Sequence, residues 1–213
     1  LDLTHVPYRG SGLQVTGLLG GHSQFGFAQL NSSLAHVRAG KLHALATTGS
    51  FVFLTYLSPY LTDAIGLSAG LLSVVLLLRG LAGIGGVAVA GPLVDARPRL
   101  AVALPVAVQA AALLLLVHPP GPVAAVVLVA LTGYAFAAFT TPLSTRILQT
   151  APIRLDLATS VSSTAVNVGI TLGALIGSAL LDGPGVRTTA LAGGLLTLAA
   201  LALVALDRPR RHR

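Results

Sequence analysis

The chain contains no cysteine, no methionine, no tryptophan and no glutamate. Without cysteine, disulfide frameworks, thiolate zinc sites and cysteine nucleophiles are excluded, and redox compartment leaves no mark on the sequence. All six acidic residues are aspartate, and charged residues of both signs make up only 9% of the chain. The missing charge is missing in blocks. From Arg99 to Arg146 there are 46 intervening residues without a charge, broken only by the turn His118-Pro119-Pro120-Gly121-Pro122. Further uncharged windows cover 42–62, 80–94, 157–181 and 188–206. A soluble helix of such length keeps a charged face toward water, and these segments have none.

What is present fits the absences. Hydrophobic residues make up 54% of 213 residues and the mean hydropathy is +0.85, values of a membrane protein. A hydrocarbon core about 30 Å thick takes roughly 20 apolar residues per helical crossing. On that measure the sequence predicts an all-α membrane protein with six crossings, at about 44–62, 69–93, 100–117, 123–144, 157–181 and 188–206. The first is the least apolar, diluted by Thr47, Thr48, Gly49 and Ser50. Connections fall at Asp63 to Ser68, Asp95 to Arg99, His118 to Pro122, Thr145 to Asp156 and Asp182 to Arg187.

The net charge of +7 comes from arginines scattered through short loops and the tail, not from one basic helix face, so no nucleic-acid partner is expected. Loops retained in the cytoplasm are enriched in basic residues. Six crossings with a cytoplasmic C-terminus put Arg97, Arg99, Arg146, Arg154, Arg208, Arg210, Arg211 and Arg213 inside, and only Arg187 outside. That asymmetry orients the protein in the cell (inner) membrane, with 208–213 as a basic cytoplasmic tail. No basic start followed by an apolar core opens the chain as a signal peptide would. It does not begin with methionine, from which a trimmed or fragmentary chain is expected.

Residues 1–43 have a different texture, a short α/β-like fragment. Leu3 to Tyr8 and Phe25 to Leu30 read as strands, Leu13 to Leu19 and Ser32 to Ala39 as helices. So short a piece buries too little apolar area to fold reliably by itself.

Two stretches resemble known families. Phe51-Val-Phe-Leu-Thr-Tyr-Leu-Ser-Pro-Tyr-Leu-Thr-Asp63, the loop Gly91-Pro-Leu-Val-Asp95-Ala-Arg97-Pro-Arg99, Leu148-Gln-Thr-Ala-Pro152 and Asn167-Val-Gly-Ile170 resemble the C-terminal half of the major facilitator superfamily, of the arabinose-efflux or drug-efflux permease type. The resemblance covers about 48–207 and implies helices seven to twelve of a twelve-helix transporter. It also implies a small-molecule substrate, proton coupling and the lipid bilayer as surroundings, with the other half missing or supplied by a second copy. His5-Val-Pro-Tyr-Arg-Gly-Ser-Gly12, Leu18-Leu-Gly-Gly21 and His36-Val-Arg-Ala-Gly-Lys-Leu-His-Ala-Leu45 resemble the tripartite tricarboxylate transporter receptors, two-lobed periplasmic binding proteins. Residues 1–47 would be about a sixth of such a receptor. The two resemblances disagree on compartment, which leaves two further readings beside transport: a receptor fragment fused to a membrane anchor, or a non-functional product of gene rearrangement.

The candidate site residues follow from these frames. By the resemblance, Gly91, Asp95, Arg97 and Arg99 form a conformational gating loop, Asp95 pairing with an arginine to hold one state. The arginines alone are equally explained as topology signals, and the family's usual basic residue after the aspartate is here Ala96. Arg79 lies midway along the second crossing with 15 uncharged residues on each side. A mid-bilayer arginine facing lipid costs from about 2.5 to over 10 kcal/mol, so it is expected to face a bundle interior or a watery cavity. It reads as a substrate or coupling residue, as a divergent position where relatives carry an apolar residue, or as a sign that the span is misplaced. Asn167 and Gln109 are polar within the membrane, Asn167 either bonding across helices or lining a cavity. Tyr56 and Tyr134 are cavity liners or interface anchors. Gly169, Gly173 and Gly177 form a small-residue stripe, as Gly80, Gly83 and Gly86 do in the second crossing, expected to serve helix packing, with sliding surfaces during alternating access as the other reading. Pro59, Pro105 and Pro142 mark kinks or helix ends. Four of the six histidines lie in the N-terminal stretch without ligand spacing, and no Ser, His and Asp trio or phosphate-cradling loop occurs. No metal, cofactor or enzymatic activity is expected.

Overall fold

The structure, a computed structural model, describes residues 30–97, 99–119, 121–150 and 155–206, with side chains at 41–97, 99–119, 121–142 and 163–206. Among the described residues every regular element is helical and no strand occurs. The long helices are α1 (Leu30–Leu54), α2 (Ala69–Ala96), α3 (Leu100–Leu115), α4 (Pro122–Thr150), α5 (Leu155–Asp182) and α6 (Arg187–Leu206). Backbone groups in hydrocarbon have no water to bond, and helices satisfy them within one segment. Hydroxyls are absorbed the same way. Thr48, Thr55, Thr171 and Thr197 each donate to the carbonyl four residues back, at 2.7–2.9 Å.

Four helices have the length and apolarity of a crossing: Ala69–Ala96, Pro122–Pro142 within α4, Ser163–Asp182 within α5, and Arg187–Leu206. α3 is shorter, at 16 residues. α1 has 25 residues but carries Lys41, His43 and the polar run Thr47 to Ser50.

Several boundaries differ from those expected. α1 begins at Leu30, not near 44, so the helical stretch expected at Ser32 to Ala39 lies in its first part and Leu30, expected to end a strand, opens the helix; the rest of the expected strands and the helix at Leu13 to Leu19 lie outside the described residues. The first span also breaks before 62. Pro59 has no N–H to return to the Thr55 carbonyl, and the chain passes from Leu54 through a turn and the short helix Leu57–Pro59 into the π-helical turn Tyr60–Ala64. That turn ends at Gly66, φ +78°. The Gly66 N–H bonds the Thr62 carbonyl at 3.1 Å and the Leu67 N–H the Leu61 carbonyl at 2.9 Å, the paired bonds of a glycine-terminated helix. The loop expected over Thr145 to Asp156 differs, because α4 continues to Thr150 and α5 begins at Leu155. Pro92, Pro105 and Pro142 remain inside helices.

The packing order is simple. α2 lies on α4, α5 on α1, α3 on α4 and α6, and α6 on α1. Exchanging the triplet α1–α3 with α4–α6 maps this pattern onto itself, as expected of an internal repeat. Two apolar clusters hold the bundle. One, with Phe53, Tyr60, Leu61, Leu113 and Leu116, sits where α1, α3 and α6 meet the turns; the other joins Ala46, Val102, Val106, Phe139 and Ala200. Lipid is as apolar as leucine, so close packing rather than water exclusion supplies the cohesion.

Candidate functional site

α2 turns Val75, Arg79, Gly83 and Gly86 toward α4, at helical spacing along one face. Gly133 of α4 lies opposite Arg79. A Cβ there would fall 2.6 Å from Arg79 Cγ and against its backbone carbonyl, so only glycine leaves room for both. Gly86 in turn meets the Tyr134 backbone, and a Cβ on Gly85 would touch the Tyr134 ring at 3.9 Å. Arg79 is partly buried and makes no hydrogen bond or ion pair among the described residues. The chain's aspartates stand at 2, 63, 95, 156, 182 and 207, none within an uncharged window.

The second pairing is α5 on α1. Gly169 lies against Ala44 and Thr47, Gly173 against Phe51 and Val52, and Gly177 against Val52 and the Tyr56 ring, with added Cβ atoms falling 2.5–3.0 Å from those neighbours. Tyr56 extends across this seam and its hydroxyl donates to the Ala174 carbonyl at 3.0 Å. On the far side of α5, Thr164, Asn167, Thr171 and Ser178 are exposed at helical spacing. The Asn167 carbonyl accepts from Thr171 Oγ1 at 2.9 Å.

The structure therefore brings Arg79 and Tyr134 together on α2 and α4, and Tyr56 and the glycine stripe together on α1 and α5. It does not pack α2 against α5, and Asn167 stands apart from Arg79. In the loop, Gly91 and Asp95 are exposed in the last turns of α2, Arg97 follows its end, and Arg99 precedes α3. Asp95 makes no ion pair among the described residues.

Three contacts escaped sequence reasoning. Gln109 on α3, buried to 1% exposure, donates through Nε2 to Ser50 Oγ on α1 at 3.2 Å, and Ser50 donates on to the Ala46 carbonyl. The Tyr60 hydroxyl donates to the Leu116 carbonyl. Arg187 Nη2 donates to the Ala64 carbonyl at 3.2 Å, tying α6 to the π-helical turn. Polarity at 50, 60 and 109 was the available signal, but nothing local names the partner. Among the described residues no group of three His, Asp or Glu is placed to hold a metal.

Comparison with known proteins gives two family matches. The Major Facilitator Superfamily matches residues 42–213, and the tripartite tricarboxylate transporter family receptor matches residues 1–51. The MFS-type transporter YtbD of Bacillus subtilis (strain 168) is 33% identical over 175 residues, 80% of this chain and 44% of the relative. The chloramphenicol resistance protein of Streptomyces lividans is 37% identical over 174 residues, 78% of this chain and 41% of the relative. The purine ribonucleoside efflux pump NepI of Salmonella paratyphi B is 30% identical over 163 residues, 76% of this chain and 41% of the relative. The chain spans less than half the length of these curated relatives. With four apolar helices of crossing length, a packing pattern unchanged when α1–α3 and α4–α6 are exchanged, and a family match over four-fifths of its length, this multi-pass membrane protein belongs to the Major Facilitator Superfamily.

Proposed function

We propose that the chain is the C-terminal six-helix half of an efflux permease in the cell membrane, with the C-terminus cytoplasmic and α1 and the shorter α3 crossing alongside the other four helices. The observation that carries this is the family match over 42–213 together with relatives named for chloramphenicol resistance, sugar efflux and purine ribonucleoside efflux. The cargo is a small molecule and the driving ion a proton. Arg79, Tyr134, Asn167 and Tyr56 belong to the half-cavity, the Tyr56 hydroxyl serving chiefly as a tie to α5. Gly169, Gly173 and Gly177 serve helix packing. Asp95 with Arg97 and Arg99 forms the gating loop, its ion pair made in one transport state only. A partner half, from the same polypeptide, another chain or a second copy, completes the cavity, because substrate in such transporters lies between two halves.

Residues 1–51 match the receptor family, yet α1 runs unbroken from Leu30 to Leu54 through the shared stretch 42–51 and into the bundle. That continuity favours a bundle role for 42–51 over a binding lobe. Reconstitution in vesicles with an imposed proton gradient tests the proposal. Little flux is expected from this chain alone, and flux is expected when an N-terminal six-helix half is co-reconstituted. Flux by the purified monomer, or none with any partner half, would refute it.

A further inference from the structure

Arg79 combines four observations that its surroundings do not resolve. It sits ten residues inside α2, about 15 Å from Ala69 at helical rise, too far in to count as a helix-end arginine that snorkels. Its stem is seated, not squeezed: Gly133 opposite leaves the room that any side chain would fill, and Gly80 and Gly83 keep the adjoining surface of α2 free of bulk. It is partly exposed, so the residue is reachable from outside the bundle. No acidic side chain pairs with it among the described residues, and no aspartate of the whole sequence falls in an uncharged window. A cation at this depth requires an anion or water, and the chain supplies no anion from its own spans.

We infer that Arg79 is the anion-recognising group of the half-cavity and that the cargo it meets bears a carboxylate. The inference rests on the transport reading above and narrows its substrate class. A carboxylate suits a guanidinium because two parallel N–H···O bonds form at once, which a lysine point charge does not reproduce. Such a ligand gains most from Arg79 where water is scarce, and a neutral amide of the same shape keeps one hydrogen bond to the guanidinium but loses the ion pair and the second parallel bond.

The test compares radiolabelled benzoate with radiolabelled benzamide on the full chain in lipid nanodiscs, a pair matched in size and differing in charge. Benzoate is expected to bind saturably, about ten- to a hundredfold tighter than benzamide, the range of a hydrogen-bonded charge pair. In R79Q the preference collapses while benzamide binding persists, and in R79K a reduced preference for benzoate remains. Equal binding of the two probes to the unmodified chain overturns the inference and leaves the transport reading standing. Absence of saturable benzoate binding overturns the inference and leaves the transport reading to the flux assay with a partner half. The comparison on the unmodified chain decides the matter even where R79Q fails to fold.

Discussion

Replacing Gly173 by alanine measures how much of the bundle's stability resides in the α1–α5 seam. The added methyl would lie 2.7 Å from Phe51 Cβ, 2.9 Å from Val52 N and 3.0 Å from the Phe51 carbonyl carbon. Carbon atoms rest at about 3.5–4.0 Å, so α5 has to withdraw from α1 by about 1 Å. Two of the three obstructing atoms are backbone and cannot rotate away. Overpacking of this size costs about 1–3 kcal/mol. The same change returns about 0.5–1 kcal/mol of helix propensity, which would obscure the net sign. Gly80→Ala is the reference, because nothing lies within 4 Å of the Cβ it would add. Both variants gain the propensity, so their difference isolates the packing cost, expected at about 1–3 kcal/mol in favour of Gly80→Ala. Unfolding by SDS in mixed micelles, followed by far-UV circular dichroism, reads it. Should Gly173→Ala prove as stable as Gly80→Ala, the close approach of α5 to α1 would not be what holds them together.

Other outcomes follow from the same contacts. Tyr60→Phe removes the donor to the Leu116 carbonyl inside the apolar cluster and is expected to cost about 0.5–1.5 kcal/mol in the same unfolding assay. A double-mutant cycle of Ser50→Ala and Gln109→Leu is expected to show a coupling of about 0.6–1.7 kcal/mol, and additivity would mean the bond at 3.2 Å contributes nothing. Because the chain has no cysteine, single replacements report sidedness cleanly. Gly121→Cys and Gly183→Cys are expected to react with an impermeant maleimide from outside intact cells and Ala96→Cys only after permeabilisation; the reverse pattern would invert the topology.

The all-helical membrane fold was legible because its cause, the absence of charge over long windows, is written residue by residue. Hydropathy, however, measures solubility in lipid and not helicity, so the polar stretch Ser32 to Ala39, although read as helical, was not joined to the first span. Arg146 was read as belonging to a loop, although α4 continues to Thr150. The site was legible as residue types and not as partnerships. Nothing near Tyr56 foretells that its hydroxyl reaches Ala174, 118 positions away, nor that Gly133 is the residue that accommodates Arg79. Such pairings depend on which helix lies beside which, a consequence of the threefold-plus-threefold arrangement and of no single segment.

That arrangement leaves α2 and α5 each leaning on one principal neighbour. Side chains seated in glycine notches resist lengthwise translation: Phe51 sits at Gly173, the Tyr56 ring at Gly177, and the Arg79 stem at Gly133. Each of the two outermost rods is thus keyed to one inner rod, and a shift of either along its axis carries that partner with it.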